Sequence, residues 1–385
     1  MTAFAFSTVA HIVSQPSAAA ELGKLIAERF PQARRALLVT DAGFLRTGLL
    51  RPACDDLAHQ GIDVSIYSDV VADPPEATVL EAVAYARAQD VDLVIGFGGG
   101  SSMDVAKLVA VLASSAQELP AIYGIGKVAG TRLPLVQVPT TAGTGSEVTN
   151  IAIVTTGKTT KMGVVAPQLY ADLAVLDASL TLGLPPLVTA ATGIDAMVHA
   201  IEAYTSRHKK NPLSDVLARE ALRLLSDNLL AACENGSNLE ARQAMLLGAC
   251  LAGQAFSNAP VAAVHALAYP IGGIFHVPHG LSNALVLPHV LRFNAPAAAP
   301  LYAELADVVV PGTGGSAEER TEALIAAMQQ FAQKTGIATS LREVGIGNDD
   351  LDRLADDAML QTRLLGNNPR ELTREDARSI YAAAL

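Results

Sequence analysis

The stretch V-I-G-F-G-G-G-S-S-M-D, Val94 to Asp104, decides the fold. An apolar run ends in Gly98, Gly99 and Gly100, and M-D-V-A-K-L-V-A-V-L-A then continues with helical character. A buried strand that turns through glycines straight into a helix is the βα unit of a parallel sheet. Glycine lets the backbone approach a pyrophosphate closely, and the free N–H groups at the helix start favour an anion. The spacing is not G-x-G-x-x-G, so a tight βα turn without a ligand is the competing reading.

Similar units lie on either side. Arg35–Asp41 (R-A-L-L-V-T-D) and Asp63–Ser68 (D-V-S-I-Y-S) read as strands, and Val79–Ala88 as an amphipathic helix. L-P-L-V-Q-V-P-T-T, ending at Thr141, reads as another buried strand. Alternation of this kind implies a parallel sheet with crossover helices. From about Leu184 the period becomes helical, with helices expected near 188–206, 212–232, 239–256, 261–270, 279–292, 298–308, 316–335 and 373–384. A boundary near Leu182–Pro186 therefore separates an α/β domain, 1–183, from an all-helical domain, 184–385.

Composition narrows the function. Half of the 385 residues are hydrophobic and 17% are charged, which suits a large core. The formal net charge of −11 argues against nucleic acid or an anionic membrane as partner. Cys54, Cys233 and Cys250 are too few and too scattered for a disulfide framework or a zinc ribbon. The opening M-T-A-F-A-F-S lacks a basic n-region and a long apolar h-region, and no run is apolar enough to span a bilayer, so a cytoplasmic location is expected.

Two further features favour a nucleotide. P-T-T-A-G-T-G-S-E-V-T, from Pro139, is a polar loop where a strand ends, and ligands of α/β sheets bind at the carboxyl ends of strands. Asp41 ends the first strand, where it either accepts a ribose 2′-hydroxyl, favouring NAD over NADP, or caps a helix.

The helical half offers metal ligands. In G-I-D-A-M-V-H-A-I-E, Asp195 and His199 lie one turn apart on one helix face, with Glu202 just after. In V-H-A-L-A-Y-P-I-G-G-I-F-H-V-P-H-G, His265 sits on a helix that Pro270 and Gly272-Gly273 should end, and His279 follows Pro278 at a suitable helix start. Asp195, His199, His265 and His279 make an O/N₃ set suited to Zn²⁺ or Fe²⁺. His276 and His289 compete with His279 on spacing alone.

Beyond these readings, A-V-L-D-A-S-L-T-L-G-L-P-P-L-V-T-A-A-T-G-I-D-A-M-V-H-A-I-E (Ala174–Glu202) resembles the first signature of the iron-containing (group III) alcohol dehydrogenases. The glycine turn, the Pro139 loop, the His265–Gly280 segment and G-N-N-P-R-E-L-T-R-E-D resemble that family's other landmarks, in the same order. The resemblance implies a Rossmann-like dinucleotide-binding domain, a helical domain in the dehydroquinate synthase-like arrangement, and an active site in the cleft between. It implies Asp195, His199, His265 and His279 as the metal ligands, against His276 and His289. Gly98, Gly99, Gly100, Ser101 and Asp104 correspond to the cofactor turn. Thr140, Thr141 and Thr144 correspond to cofactor contacts, Lys161 to a basic residue near the nicotinamide ribose, and Asp41 to the carboxylate associated with NAD.

One position departs from the pattern. Many relatives carry H-x₃-H, with a second histidine four residues after the third ligand, and here that place is Tyr269. A phenol, with an ordinary pKa of about 10, is a weaker neutral-pH proton shuttle than imidazole. The expectation is a metal-dependent oxidoreductase moving hydride between a primary alcohol or aldehyde and NAD(H), probed with Fe²⁺ first and Zn²⁺ second, in a homo-oligomer. A glycerol dehydrogenase-like or dehydroquinate synthase-like enzyme, or a non-catalytic nucleotide-binding relative, are the rival readings. No Lys/Arg set beside the ligands suits the synthase's acidic substrate. Phe256, Leu364 and Ile151 are candidates to line the substrate pocket.

Overall fold

The computed structural model describes residues 3–157 and 160–385. Their contacts group them into two units: Thr8–Thr141 with Gly145–Leu182, and Gly183–Leu385 joined by Ala142–Thr144 and the N-terminal residues through Ser7.

The first unit runs β1 (His11–Ser14), α1 (Leu22–Arg29), β2 (Arg35–Val39), α2 (Ala42–Arg46), α3 (Arg51–His59), β3 (Asp63–Tyr67), α4 (Glu76–Ala88), β4 (Leu93–Gly98) and α5 (Gly100–Leu112). It continues β5 (Gly124–Ile125), β6 (Leu135–Pro139), β7 (Ile151–Thr156), β8 (Thr160–Val165) and β9 (Leu173–Leu176). Six strands form a wholly parallel sheet in the order β1-β9-β6-β4-β2-β3. Ala36 and Leu38 of β2 and Ile95 and Phe97 of β4 face a core completed by Leu22, Ile26 and Leu57 of α1 and α3. The alternate residues Leu37, Val39 and Val94 are equally buried. Burial of both faces is what a parallel sheet demands, and it explains the near-continuous apolar runs in the sequence. Strand order reverses at β2, which has β3 on one side and β4 on the other. The loops after β2 and β4 therefore flank the point where such sheets bind ligands. A second sheet, β5-β8-β7, with β7 and β8 antiparallel, was not legible from alternation.

The second unit comprises α6 (Pro186–Thr205), α7 (Pro212–Glu234), α8 (Leu239–Asn258), α9 (Ala263–Phe275), α10 (His279–Val309), α11 (Ala317–Thr335), α12 (Leu351–Ala358), α13 (Thr362–Leu365) and α14 (Arg374–Ala383). Every residue of α6 from Gly193 to Thr205 is buried. A helix buried all round is central, and α7, α8 and α10 pack on it.

Two expected helix ends are corrected. α9 passes through Pro270 to Phe275, and α10 passes through Pro288, Pro296 and Pro300 without the expected break at 292–298. An interior proline loses one helical hydrogen bond and crowds the preceding turn, at a cost of about 3 kcal/mol. Along α10, Ala298, Ala299, Tyr302, Ala303, Leu305 and Ala306 are buried, and the helix packs on α11 and α6. A fully buried large apolar side chain contributes about 1.5–3 kcal/mol, so tertiary packing outweighs the local penalty. Helices α12 and α13 add to the expected set. Among the described residues no single helix is long and apolar enough to cross a membrane; α8 and α9 pass that test only as a pair bent by 108°.

Candidate active site

At the carboxyl edge of the parallel sheet, β4 runs through Gly98 and Gly99 into α5, and no side chain caps the helix's first turn. Its leading N–H groups are thus left for an external acceptor. A Cβ on Gly98 would lie 2.7 Å from Ser102 Oγ and 2.8 Å from its Cβ, so any larger residue there would force the first turn of α5 to shift. The Thr140 N–H donates to the Gly98 carbonyl at 3.0 Å, pinning the Pro139 loop to the glycine turn. Thr141 Oγ1 lies 3.9 Å from the Cβ position of Gly99, and Ser101 Oγ accepts the Asp73 N–H at 3.3 Å. Asp41 caps α2: its Oδ1 accepts the Phe44 N–H at 2.8 Å, a contact of a kind contributing about 1 kcal/mol. Its Oδ2 lies 3.8 Å from the Cβ position of Gly98, so capping leaves one oxygen at the glycine turn.

Asp104 and Lys161 are held by partners of their own. Asp104 accepts the Ser146 hydroxyl at 2.6 Å and the Ile153 N–H at 2.9 Å. Lys107, one turn on and 0% exposed, donates to Ser146 Oγ, Thr149 Oγ1 and the Ile151 carbonyl at 2.8, 3.0 and 2.7 Å. Burial pushes the Asp104 carboxyl up and the Lys107 ammonium down, and each partly offsets the other's shift. This buried lysine staples α5 to the strand that follows the Pro139 loop. Lys161 donates to Thr155 Oγ1 at 2.9 Å and pairs with Asp73 at 2.8 Å. Thr144 belongs to the helical unit.

In that unit α6, α9 and α10 bring Asp195, His265 and His279 together, with one donor atom from each inside a 4.8 Å group. Asp195 Oδ1 is 3.9 Å from His265 Nε2 and 3.8 Å from His279 Nε2. These separations are too long for hydrogen bonds. They are near those of two donors sharing an ion at about 2.0–2.2 Å each. His265 Nε2 and His199 Nδ1 are buried without a hydrogen-bond partner. The orphaned His265 nitrogen beside a buried carboxylate fits a divalent cation, whereas His199 is not part of the three-residue donor group. His199 stands next to the group, its ring stacked on His265 at 4.7 Å and on Phe256 at 4.4 Å. Tyr269 is a neighbour of His279, with ring centroids 5.9 Å apart. His276 is exposed and ends α9 in the left-handed conformation, and neither it nor His289 joins the donor group.

Two supporting residues were missed from sequence. Glu202 Oε1 accepts the Val264 N–H at 2.7 Å and its Oε2 meets His265 Nδ1 at 2.6 Å. Asn283, one turn after His279, donates to Asp195 Oδ1 at 2.6 Å. The signal was helical spacing: Glu202 follows Asp195 by two turns and so shares its face.

Burial alone would raise the Asp195 carboxyl, but His199, His279, His265 and the Asn283 amide reverse this, and the net direction is down. Burial depresses His199 to about 3, with Asp195 opposing and the other two histidines assisting. The ordinary histidine value is about 6.5, so between these values the unfolded chain binds a proton that the native chain refuses. Stability on this account is full above about pH 6.5 and is lost as pH falls toward 3, by about 1.4 kcal/mol per unit. Melting temperatures of the metal-free protein from pH 7.5 to 4.5 should fall more steeply than those of His199→Gln. Equal slopes would remove His199 as the cause.

A sheet with a glycine turn at its carboxyl edge and a carboxylate–imidazole group on helices are the features of a nucleotide-linked, metal-dependent enzyme. The chain belongs to the iron-containing alcohol dehydrogenase family. The family model "Iron-containing alcohol dehydrogenase" matches residues 10–178, and "Fe-containing alcohol dehydrogenase family, C-terminal" matches 189–385. Long-chain-alcohol dehydrogenase 1 of Geobacillus thermodenitrificans (strain NG80-2) is 43% identical over 356 residues, spanning 91% of this chain and 90% of its own. A crystal structure of 1,3-propanediol oxidoreductase superposes over 100% of both chains with a TM-score of 0.95 at 34% identity. Sulfoacetaldehyde reductase from Bifidobacterium kashiwanohense, solved in complex with NAD⁺, does so with a TM-score of 0.89 at 28% identity, covering 100% of this chain and 99% of its own.

Proposed function

We propose that this chain is an NAD(H)-dependent, iron-using alcohol dehydrogenase that interconverts a small primary alcohol and its aldehyde. The observation that carries the reading is the donor group of Asp195, His265 and His279, the first two buried and His279 half-buried, in a chain of this family. His199 completes the proposed ligand set. Fe²⁺ is the favoured ion and Zn²⁺ the alternative, since both accept imidazole and carboxylate. A divalent ion held there would supply Lewis acidity to the alcohol oxygen, and NAD⁺ would supply the hydride acceptor.

The chain's own residues provide the setting. Asp195 contributes the one formal negative charge of the four proposed ligands, so with neutral imidazoles a bound divalent ion would keep positive charge in excess for an oxyanion. Phe256 keeps one face of His199 dry. Tyr269 forms a wall beside His279. For the dinucleotide we assign Gly98, Gly99, Gly100 and Ser101 to the pyrophosphate, and Thr140, Thr141, Thr144 and Lys161 to further contacts. Asp104 supports the turn through its network, and Asp41 takes the ribose 2′-hydroxyl. The three cysteines are unbridged, which supports a cytoplasmic location. We also assign a homo-oligomer, dimer or larger, to be checked by light scattering.

Anaerobic Fe²⁺ loading followed by NADH absorbance at 340 nm, with a panel of primary alcohols and diols, tests the reading. Metal-dependent NADH formation is expected; no NADH from any alcohol, and no NADH oxidation by the matching aldehydes, would end it. Asp41→Asn keeps an oxygen for the α2 cap while removing the charge that repels a 2′-phosphate. The ratio of kcat/KM for NADP⁺ over NAD⁺ should rise by about tenfold or more, for a change of about 1.4 kcal/mol. An unchanged ratio would leave Asp41 a cap and nothing else.

A further inference from the structure

We propose that Glu202 is a positioning residue for the metal site: it fixes the tautomer of His265 and so leaves His265 Nε2 as a bare lone pair. The inference rests on the metal-site reading above. Glu202 receives two donors at once. The Val264 N–H can only donate, and it is 2.7 Å from Oε1; His265 Nδ1 is 2.6 Å from Oε2. As a carboxylate, Glu202 accepts at both oxygens, which places the shared proton on His265 Nδ1. An imidazole protonated on Nδ1 alone carries its lone pair on Nε2. That nitrogen is buried, has no hydrogen-bond partner and lies 3.9 Å from Asp195 Oδ1. The opposite tautomer would bury an unpaired N–H in the same place and block coordination.

The geometry also explains why the residue is an acid. Only a carboxylate offers an acceptor to both donors. An amide has one acceptor oxygen and one NH₂ group. In Glu202→Gln, either the amide NH₂ donates to Nδ1 and drives the His265 proton onto Nε2, or it abuts the Val264 N–H. Because Glu202 sits on α6 and holds both Val264 and His265 of the first turn of α9, one side chain sets both the tautomer and the seat of that ligand. Carboxylate–histidine partners of this kind typically change metal affinity by about 10–100-fold when removed.

Zn²⁺ affinity, measured in competition with a chromophoric chelator, should fall by about 10–100-fold in Glu202→Gln and recover in part in Glu202→Asp. In the metal-free wild type, ¹⁵N shifts of the histidine rings should report His265 protonated at Nδ1, and Glu202→Gln should move population to Nε2–H. A lowered melting temperature with unchanged Zn²⁺ affinity would make Glu202 structural and overturn the proposal. A wild-type His265 protonated at Nε2 would overturn it without any variant. Wild-type protein that binds no Zn²⁺ or Fe²⁺ would instead overturn the metal site itself, a failure distinct from either.

Discussion

Asp195→Asn is expected to lower metal-dependent kcat/KM by about 10³-fold or more while the chain stays folded. Lewis acidity at a substrate oxygen is worth several kcal/mol, and each 1.36 kcal/mol is tenfold in rate. Asp195 is the single carboxylate of the donor group, and its oxygen lies within 4 Å of two imidazole nitrogens. Asparagine preserves the shape and retains an oxygen to accept the Asn283 amide, now 2.6 Å from Oδ1. What it loses is the charge. Metal content, steady-state rates and the melting temperature of the metal-free protein separate the effects: metal and rate should drop together with little change in melting. Full metal content and a rate within tenfold of wild type would remove Asp195 from the ligand set.

Gly280→Ala, one residue beyond a proposed ligand, should cost about 10²-fold in rate. A Cβ at Gly280 would lie 2.4 Å from the carbonyl oxygen of Ala191 and 2.8 Å from its carbon. Those are backbone atoms of α6, so no side-chain rotation relieves the clash. α10 must move away from α6, carrying His279 away from Asp195. Overpacking of this kind costs about 1–3 kcal/mol of stability, and a 1 Å misplacement of reacting groups costs about 10²-fold. Rate and metal affinity should therefore fall further than the melting temperature alone would suggest. Wild-type metal affinity in a folded Gly280→Ala protein would mean that α6 and α10 need not approach this closely.

How much of this was legible in sequence follows from the range over which each signal acts. β2, β4 and β6 were readable because both-face burial writes continuous apolar runs between turns, and β3, a half-buried edge strand, because D-V-S-I-Y alternates. α6 was readable because its apolar residues and its two ligands share one period. β7 and β8 were not, since only two of the six residues of β7 are buried. The prolines misled in the opposite direction: Pro270, Pro288, Pro296 and Pro300 signal helix ends locally, and only the packing of α9 and α10 against their neighbours overrides them.

The site divides in the same way. Asp195 and His199 announce themselves by a one-turn spacing, and His279 by its place after Pro278 at the start of α10. Glu202 lay in plain view on the same face as Asp195, yet its role depends on where the N-terminus of α9 comes to rest, which spacing cannot show. Asn283 and Lys107 are hidden for the same reason. Each is defined by a partner across a helix contact or a loop, and each lacks a local pattern of its own.

Anomalous diffraction from crystals of the protein loaded anaerobically with Fe²⁺, collected at the iron edge, tests the central claim most directly. The expected result is one iron per chain, about 2.0–2.2 Å from Asp195 and from a ring nitrogen of each of His199, His265 and His279. Iron bound elsewhere, or no iron in protein that still reduces NAD⁺ with alcohols, would contradict it.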